Sequence, residues 1–487
     1  MVDFNYWAIK SLDAVSTVVP KSLRLKTSSI LKWLFIGCVI RLLLIPIFSH
    51  PDLTTTLWVS LTFATKHQLI LSPDPPLVFI SLGAFYSLVM PFFPTNFLHF
   101  INSGVAYTPN TNLIILALLQ PNINSVLLIA KLPFLLLDIL SAFILLNLFN
   151  DGVKGFTAFK MWLLNPISLY VSYIFGQYDI FAVFFILMAL FFIRKNKYGW
   201  SMVSLGIASA FKAIGIALMP LVIVFFLKNQ GTRDLKHNTL KLGRIILLGL
   251  LPLIALSLVY TQIPSYYESV NFAIPREERW AFNGFYGQTF YSRGEAVLSP
   301  LFSGLFTYIL DFSISLSSNQ LPTDVVYLSL LSYAIVFLAL IYSKDVSFEK
   351  VCGYFTVFLL CYYAFSAFLP QWFLWIQPFL IILVAENRQV FKKLYWLLVP
   401  LFFLYIWQWD AGLTTNLISP LIPQAISWPG PLALIDSLGL DRVQILGAFR
   451  TLLTGVCLFT SFFIVQKVLR GKTENKIQIT ETSPHEI

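Results

Sequence analysis

The chain of 487 residues is 57% apolar, 16% aromatic and only 11% charged, with a mean hydropathy of +0.76. A water-exposed surface of ordinary composition is about one-quarter charged and cannot be built from these residues; the same figures exclude a disordered chain, a collagen repeat and a scaffold held by the four cysteines. The net charge of +10 forms no nucleic-acid patch, because the basic residues fall in short clusters between apolar stretches, as in the cytoplasmic loops of membrane proteins.

A spanning helix needs about 20 mostly apolar residues. The first basic cluster, Lys10, Lys21, Arg24, Lys26 and Lys32, precedes an apolar run over 30–48. This reads as a retained first helix, since no small-residue cleavage site marks a signal peptide. Further runs cover 77–93, 125–149, 157–175 and 179–193. The run over 201–227 is too long for one upright span, and Lys212 interrupts it, which predicts two short helices meeting there. Runs over 242–260, 323–343, 352–369, 373–385, 395–409 and 446–466 follow. Segments 94–121 and 299–317 are weaker and either cross the membrane or lie at its surface. The expected fold is an all-α, polytopic helical membrane protein of about 12–14 spans. A cytoplasmic segment 1–32 and a cytoplasmic tail 467–487 flank the integral membrane domain over 33–466.

Placing the N-terminus in the cytoplasm puts 1–32, 150–160, 194–199, 228–244, 344–350, 386–393 and 467–487 on that side. These stretches hold 24 of the 33 Lys and Arg residues, and such a bias sets orientation. The opposite side then carries the 49–76 loop, the Gly176-Gln177-Tyr178-Asp179 turn, the Lys212 junction, the 261–298 loop, the Pro370-Gln371-Trp372 turn and the 410–445 loop. No P-loop of the GxxxxGK[ST] type occurs, nor any repeat of 20–50 residues. Cys38, Cys352, Cys361 and Cys457 all fall in apolar segments and so imply no particular redox compartment.

Ionisable groups inside or beside spans are costly and therefore mark candidate function. Asp52, in Ser49-His50-Pro51-Asp52, follows the first span, with Arg41 about three turns back. Asp52 either caps a helix over 53–64 or acts chemically, and Arg41 either snorkels, pairs structurally or contributes to the site. Asp74 shares the 49–76 loop with Asp52. Asp179 ends an unusually polar turn and is either an N-cap or a functional carboxylate. Lys212 stands in apolar sequence and needs an anionic partner, a structural aspartate or a phosphate. Lys131 and Asp138, seven residues apart, share a helix face and read as a structural polar pair. The 261–298 loop concentrates Arg276, Arg279 and Arg293 with tyrosines and Trp280. Arginine binds phosphate bidentately and rings stack on sugars, so this loop is either a ligand lid or a folded loop without ligand. The five histidines are scattered, with no HExxH, and no Asp-x-Asp pair suggests a metal site.

In chain order, several pieces carry a resemblance. They are Arg41-Leu42-Leu43 before Asp52, Ser72-Pro73-Asp74-Pro75-Pro76-Leu77, and Lys131-Leu132-Pro133 with Asp138. Trp162-Leu163-Leu164-Asn165-Pro166, Gly176-Gln177-Tyr178-Asp179 and Phe211-Lys212 with Pro220 follow. Pro370-Gln371-Trp372-Phe373-Leu374-Trp375 with Pro378 closes the series. Across about residues 40–380 this order resembles polytopic glycosyltransferases of the GT-C class. The likeness is greatest to mannosyltransferases related to the second enzyme of GPI-anchor assembly and their prokaryotic relatives. Pro370 stands where relatives often have histidine, and Asp74 where they have tyrosine.

The resemblance implies a polyprenyl-phosphate sugar donor, a lipid-linked or glycan acceptor, inversion at the sugar carbon and a site facing away from the cytoplasm. Asp52 takes the position of the catalytic carboxylate. Lys212 and the arginines Arg276, Arg279 and Arg293 are candidate phosphate ligands. Arg41, His50, Asp74, Gln177, Tyr178, Asp179, Gln371 and Trp372 are candidate substrate contacts. The reading needs no cofactor, metal or nucleic acid, and its partners are donor, acceptor and membrane lipids. Two other classes fit the intramembrane charges: a transporter or flippase of a lipid-linked or polar substrate, against which stands the lack of repeated halves, and a non-catalytic membrane scaffold.

Overall fold

A computed structural model describes residues 27–67, 69, 75–102, 120–230, 235–261, 313–315, 325–344, 346–366 and 368–470. The described residues are almost wholly helical, with one short antiparallel pair, β1 (Ser313–Ser315) on β2 (Val325–Tyr327). Among them, Thr27–Leu44, Ile123–Asn147, Thr239–Leu256, Phe348–Phe365, Gln389–Leu413 and Arg442–Leu469 are long and apolar enough to cross a membrane. Exposed Leu247, Leu251, Leu258, Leu330 and Ile335 suit hydrocarbon surroundings, where an outward apolar side chain costs nothing. The chain is a helical membrane protein.

Local sequence sets the helix ends. After α1 (Thr27–Leu44), α2 (Pro51–Lys66) starts on a proline at its first position, where the absent N–H is no loss. Its cap is His50, whose Nδ1 accepts the Asp52 N–H at 3.2 Å. Asp52 therefore lies inside the first turn and does not cap the helix, which was one of its two expected roles. Next come α3 (Pro76–Val89), α4 (Thr95–Asn102), α5 (Ile123–Ala130), α6 (Leu132–Asn147) and α7 (Gly152–Leu163). With 8 residues, α4 is too short to span alone.

The apolar run over 157–175 is not one continuous α-helix. It breaks at Asn165, whose side chain caps α8 (Pro166–Leu169) by accepting the Ile167 and Ser168 N–H groups. Tyr170–Phe175 then continues as π-helix. By contrast, the run over 201–227 divides where its lysine stands. After α9 (Asp179–Arg194), α10 (Tyr198–Phe211) ends at an extended Lys212 and α11 (Ile214–Gln230) begins two residues on. Gly215 makes the junction possible: a Cβ there would lie 2.3 Å from the Leu205 carbonyl oxygen and 2.4 Å from Ser209 Oγ.

The remaining helices are α12 (Leu235–Thr261), α13 (Leu328–Tyr342), α14 (Phe348–Phe365), α15 (Gln377–Glu386), α16 (Arg388–Ile406), α17 (Pro431–Ser437) and α18 (Arg442–Ile464). Pro370–Leu374 and segments between 407 and 427 are 3₁₀ turns, and Val465–Leu469 is π-helical. In the core, α10 packs between α9 and α12, while α14 packs on α13, α15 and α18.

Side-chain contacts join the basic connections to one another. Lys154 pairs with Glu386, Lys228 Nζ donates to the Ser343 carbonyl at 2.6 Å, and the Arg194 guanidinium lies 5.2 Å from the Phe348 ring centre. These connections gather at one end of the bundle, and the polar turns described next gather at the other.

Candidate functional site

The π-helical segment Tyr170–Phe175 ends at Gly176, which adopts a left-handed φ of 83°. Few residues tolerate that backbone, and a Cβ would lie 3.1 Å from Leu53 Cδ2. The reversal turns Gln177 towards α2, where its Nε2 donates to Asp52 Oδ2 at 2.9 Å. The Asp52 side chain is 56% exposed although most of α2 around it is buried. Its carboxylate is thus held on one oxygen and open on the other side.

His50 Nδ1 stands 3.4 Å from Asp52 Oδ1, and the imidazole packs edge-on against Phe175 at 4.8 Å. Desolvation by surrounding protein raises the Asp52 pKa. His50, the Gln177 hydrogen bond and the Lys212 charge more than offset it, and hold the carboxyl below its ordinary range.

The next two residues of the turn extend the site. Lys212 Nζ donates to Tyr178 Oη at 2.6 Å and lies 4.2 Å from that ring's centre. Asp179 is the first residue of α9, not its cap, which is Tyr178. Its Oδ1 accepts the Trp375 indole N–H at 2.8 Å. Trp375 stacks on Trp372 with centroids 5.2 Å apart and planes 16° from parallel. Beside them, Gln371 Oε1 is buried without a hydrogen-bond partner among the described residues. A carboxylate, a nearby ammonium and an indole pair therefore share one end of the bundle. Asp52 can accept a proton and Lys212 can stabilise an anion, while the two indoles are buried and pack behind Asp179.

Arg41 does not join them. It is fully buried; its Nε donates to Asp138 Oδ2 at 2.6 Å and its Nη1 to the Gly37 and Leu163 carbonyls. Asp138 also accepts from Trp162 Nε1 at 2.6 Å, Tyr173 Oη at 2.8 Å and Ser168 Oγ at 3.3 Å. Its partner is thus Arg41 and not Lys131.

Lys131 Nζ instead donates to the carbonyls of Phe48 at 2.6 Å, Tyr173 at 2.7 Å and Ile45 at 3.4 Å. One ammonium clips the segment leading into His50 and Asp52 to the segment leading into Gln177. Sequence reasoning missed this positioning role and the Trp375 partnership. Trp375, three residues after Trp372, falls on the same face of a helical turn, a spacing visible in the sequence. Asp74, Arg276, Arg279 and Arg293 lie outside the described residues. Among the described residues no group of three or more His, Cys, Asp and Glu is placed to hold a metal ion.

Compared with known proteins, the chain matches no family model, no curated sequence and no solved structure.

Proposed function

We propose that the chain is an inverting membrane glycosyltransferase of GT-C type. It moves a sugar, mannose in the first instance, from a polyprenyl-phosphate donor to a lipid-linked or glycan acceptor. The observation that carries the reading is the open Asp52 carboxylate, anchored by Gln177 at 2.9 Å and close enough to Lys212 to feel its charge. The end of the bundle opposite the basic connections supports a site on the non-cytoplasmic face, with both termini cytoplasmic.

The chemistry follows from the groups. Asp52 takes the proton of an acceptor hydroxyl as its oxygen attacks the anomeric carbon. The carbon–oxygen bond to phosphate breaks on the opposite face, and the polyprenyl phosphate leaves with the electron pair. Lys212, held by Tyr178, stabilises the added negative charge, a contribution that grows in a water-poor site. One carboxylate suffices, unlike the paired carboxylates of glycosidases.

Purified protein in detergent, given a panel of polyprenyl-phosphate sugars and acceptors, should transfer sugar from one of them. Transport has no meaning in micelles, so absence of transfer across the panel would favour the transporter reading. Cysteine labelling should find the exposed Asp52 position on the non-cytoplasmic side and Lys228 on the other. Labelling of both from one side would refute the orientation.

A further inference from the structure

The basic end of the bundle contains a second feature, unrelated to Asp52. Between α13 and α18, which both pack on α14, lies a cleft of about 900 Å³ walled by apolar side chains such as Ile335, Val357 and Val465. Its mouth is lined by Lys344, Lys350 and Arg470. From Tyr342 at the mouth to Ser332 at the inner end the cleft follows ten residues of α13, about 15 Å at 1.5 Å per residue. That is the depth of one leaflet of a hydrocarbon core about 30 Å thick. The third wall is the end of α18, Ser461 and Phe462, with the π-helical Val465–Leu469 that follows it, and such bulges recur at functional sites.

Lys350 is the second, independent observation. It is 8% exposed, yet its Nζ makes no hydrogen bond or close ion pair with any described residue. The adjoining Glu349 feels its charge but does not line the cleft. Its stem is buried while its ammonium stays accessible, as for lysines at a membrane boundary, and the residue lines the cleft. A narrow apolar slot one leaflet deep with three cations at its mouth matches one ligand chemistry: a phosphate ester carrying a hydrocarbon chain. Basic pockets between helices at a membrane face bind anionic lipid headgroups in this way.

We propose that this cleft is a binding site for an anionic phospholipid of the adjacent leaflet, with an acyl chain between α13, α14 and α18 and the phosphate on Lys344, Lys350 and Arg470. The full-length protein in detergent should retain phosphatidylglycerol in native mass spectrometry, and phosphatidylglycerol should raise its thermal midpoint more than phosphatidylcholine of the same chains. The variant Lys344→Gln/Lys350→Gln/Arg470→Gln should bind phosphatidylglycerol at least about tenfold more weakly, as expected for lost charge-assisted contacts. Lys195→Gln/Lys197→Gln, which removes two exposed cations of the same end of the bundle, should bind like the parent. Val357→Phe, which fills the slot and keeps the cations, should also lose retention.

Equal binding of the two lipids, undiminished binding by the triple variant or by Val357→Phe, or an equal loss in the Lys195/Lys197 variant would each overturn the proposal. An equal midpoint shift from inorganic phosphate would reduce the site to an anion site and overturn the chain placement. A chain ended after Arg470 that retains lipid where the full chain retains none would give the cleft to the C-terminal tail.

Discussion

Asp52→Asn separates the fold from the chemistry at this site. The carboxylate accepts a hydrogen bond from Gln177 and stands 3.4 Å from His50 Nδ1, and its side chain is 56% exposed. An asparagine oxygen can accept the same bond at the same place, and the His50 cap uses the Asp52 main-chain N–H, which remains. Stability should therefore change by no more than about 0.5 kcal/mol, the usual range for exposed positions. The basic oxygen is lost entirely, and turnover should fall by about two to four orders of magnitude, the contribution of a general base.

The pH profile adds an independent reading of Asp52→Asn. Because the folded-state pKa of Asp52 is lowered, the base is ionised at neutral pH, and activity should fall on the acid side only below the ordinary aspartate value of about 3.9. The stability that this ionisation contributes is present above the unfolded-state pKa and is lost as pH falls through the folded one. Transfer from a polyprenyl-phosphate sugar, measured beside the melting temperature, decides the matter. A thermally normal Asp52→Asn protein keeping more than about a tenth of its activity exceeds what a missing base allows. It would remove Asp52 from the mechanism and move attention to Asp179.

Three further outcomes are expected. Lys212→Met should weaken donor use by roughly 10- to 150-fold, the value of a charge-assisted contact, with little change in melting; an unchanged donor dependence would make Lys212 only a clamp on Tyr178. Lys131→Met leaves the carbonyls of Ile45, Phe48 and Tyr173 without their donor; it should destabilise the protein by about 1–3 kcal/mol and lower kcat more than it raises KM, with partial rescue by Lys131→Arg. Asp138→Asn orphans the buried Arg41 charge and should cost about 3–5 kcal/mol in unfolding measurements, whereas Arg41→Met combined with Asp138→Leu should cost less than the sum of the two single changes.

The membrane class is legible in composition alone, and the split at Lys212 in a run too long for one span. The polar turn and Asp52 are each visible as candidates, but their meeting is not. They are 125 residues apart and are joined by a left-handed turn at Gly176 whose direction no periodicity encodes. The start of α2 departs from expectation because histidine is an uncommon cap, and the proline at the first helical position outweighs aspartate's preference for the cap. The break at Asn165 is hidden because hydropathy averages over a capping side chain. Arg41 and Asp138 do not read as partners because spacing along one helix offers Lys131 as the neighbour, while Trp162, Ser168 and Tyr173 close the cluster only in three dimensions.

The Arg41–Asp138 cluster also bears on how the protein is made. Arg41 enters the membrane with α1, and its partner follows 97 residues later, about 5–20 s at ordinary rates of synthesis. During that interval the first helix carries an uncompensated guanidinium, which insertion scales place at up to about 2.5–3.5 kcal/mol. Asp138, Trp162, Ser168 and Tyr173 arrive afterwards in sequence and close around it. The cluster is thus tied to assembly: a chain whose early helices mispair keeps an uncompensated guanidinium in lipid, at the cost that the finished cluster removes.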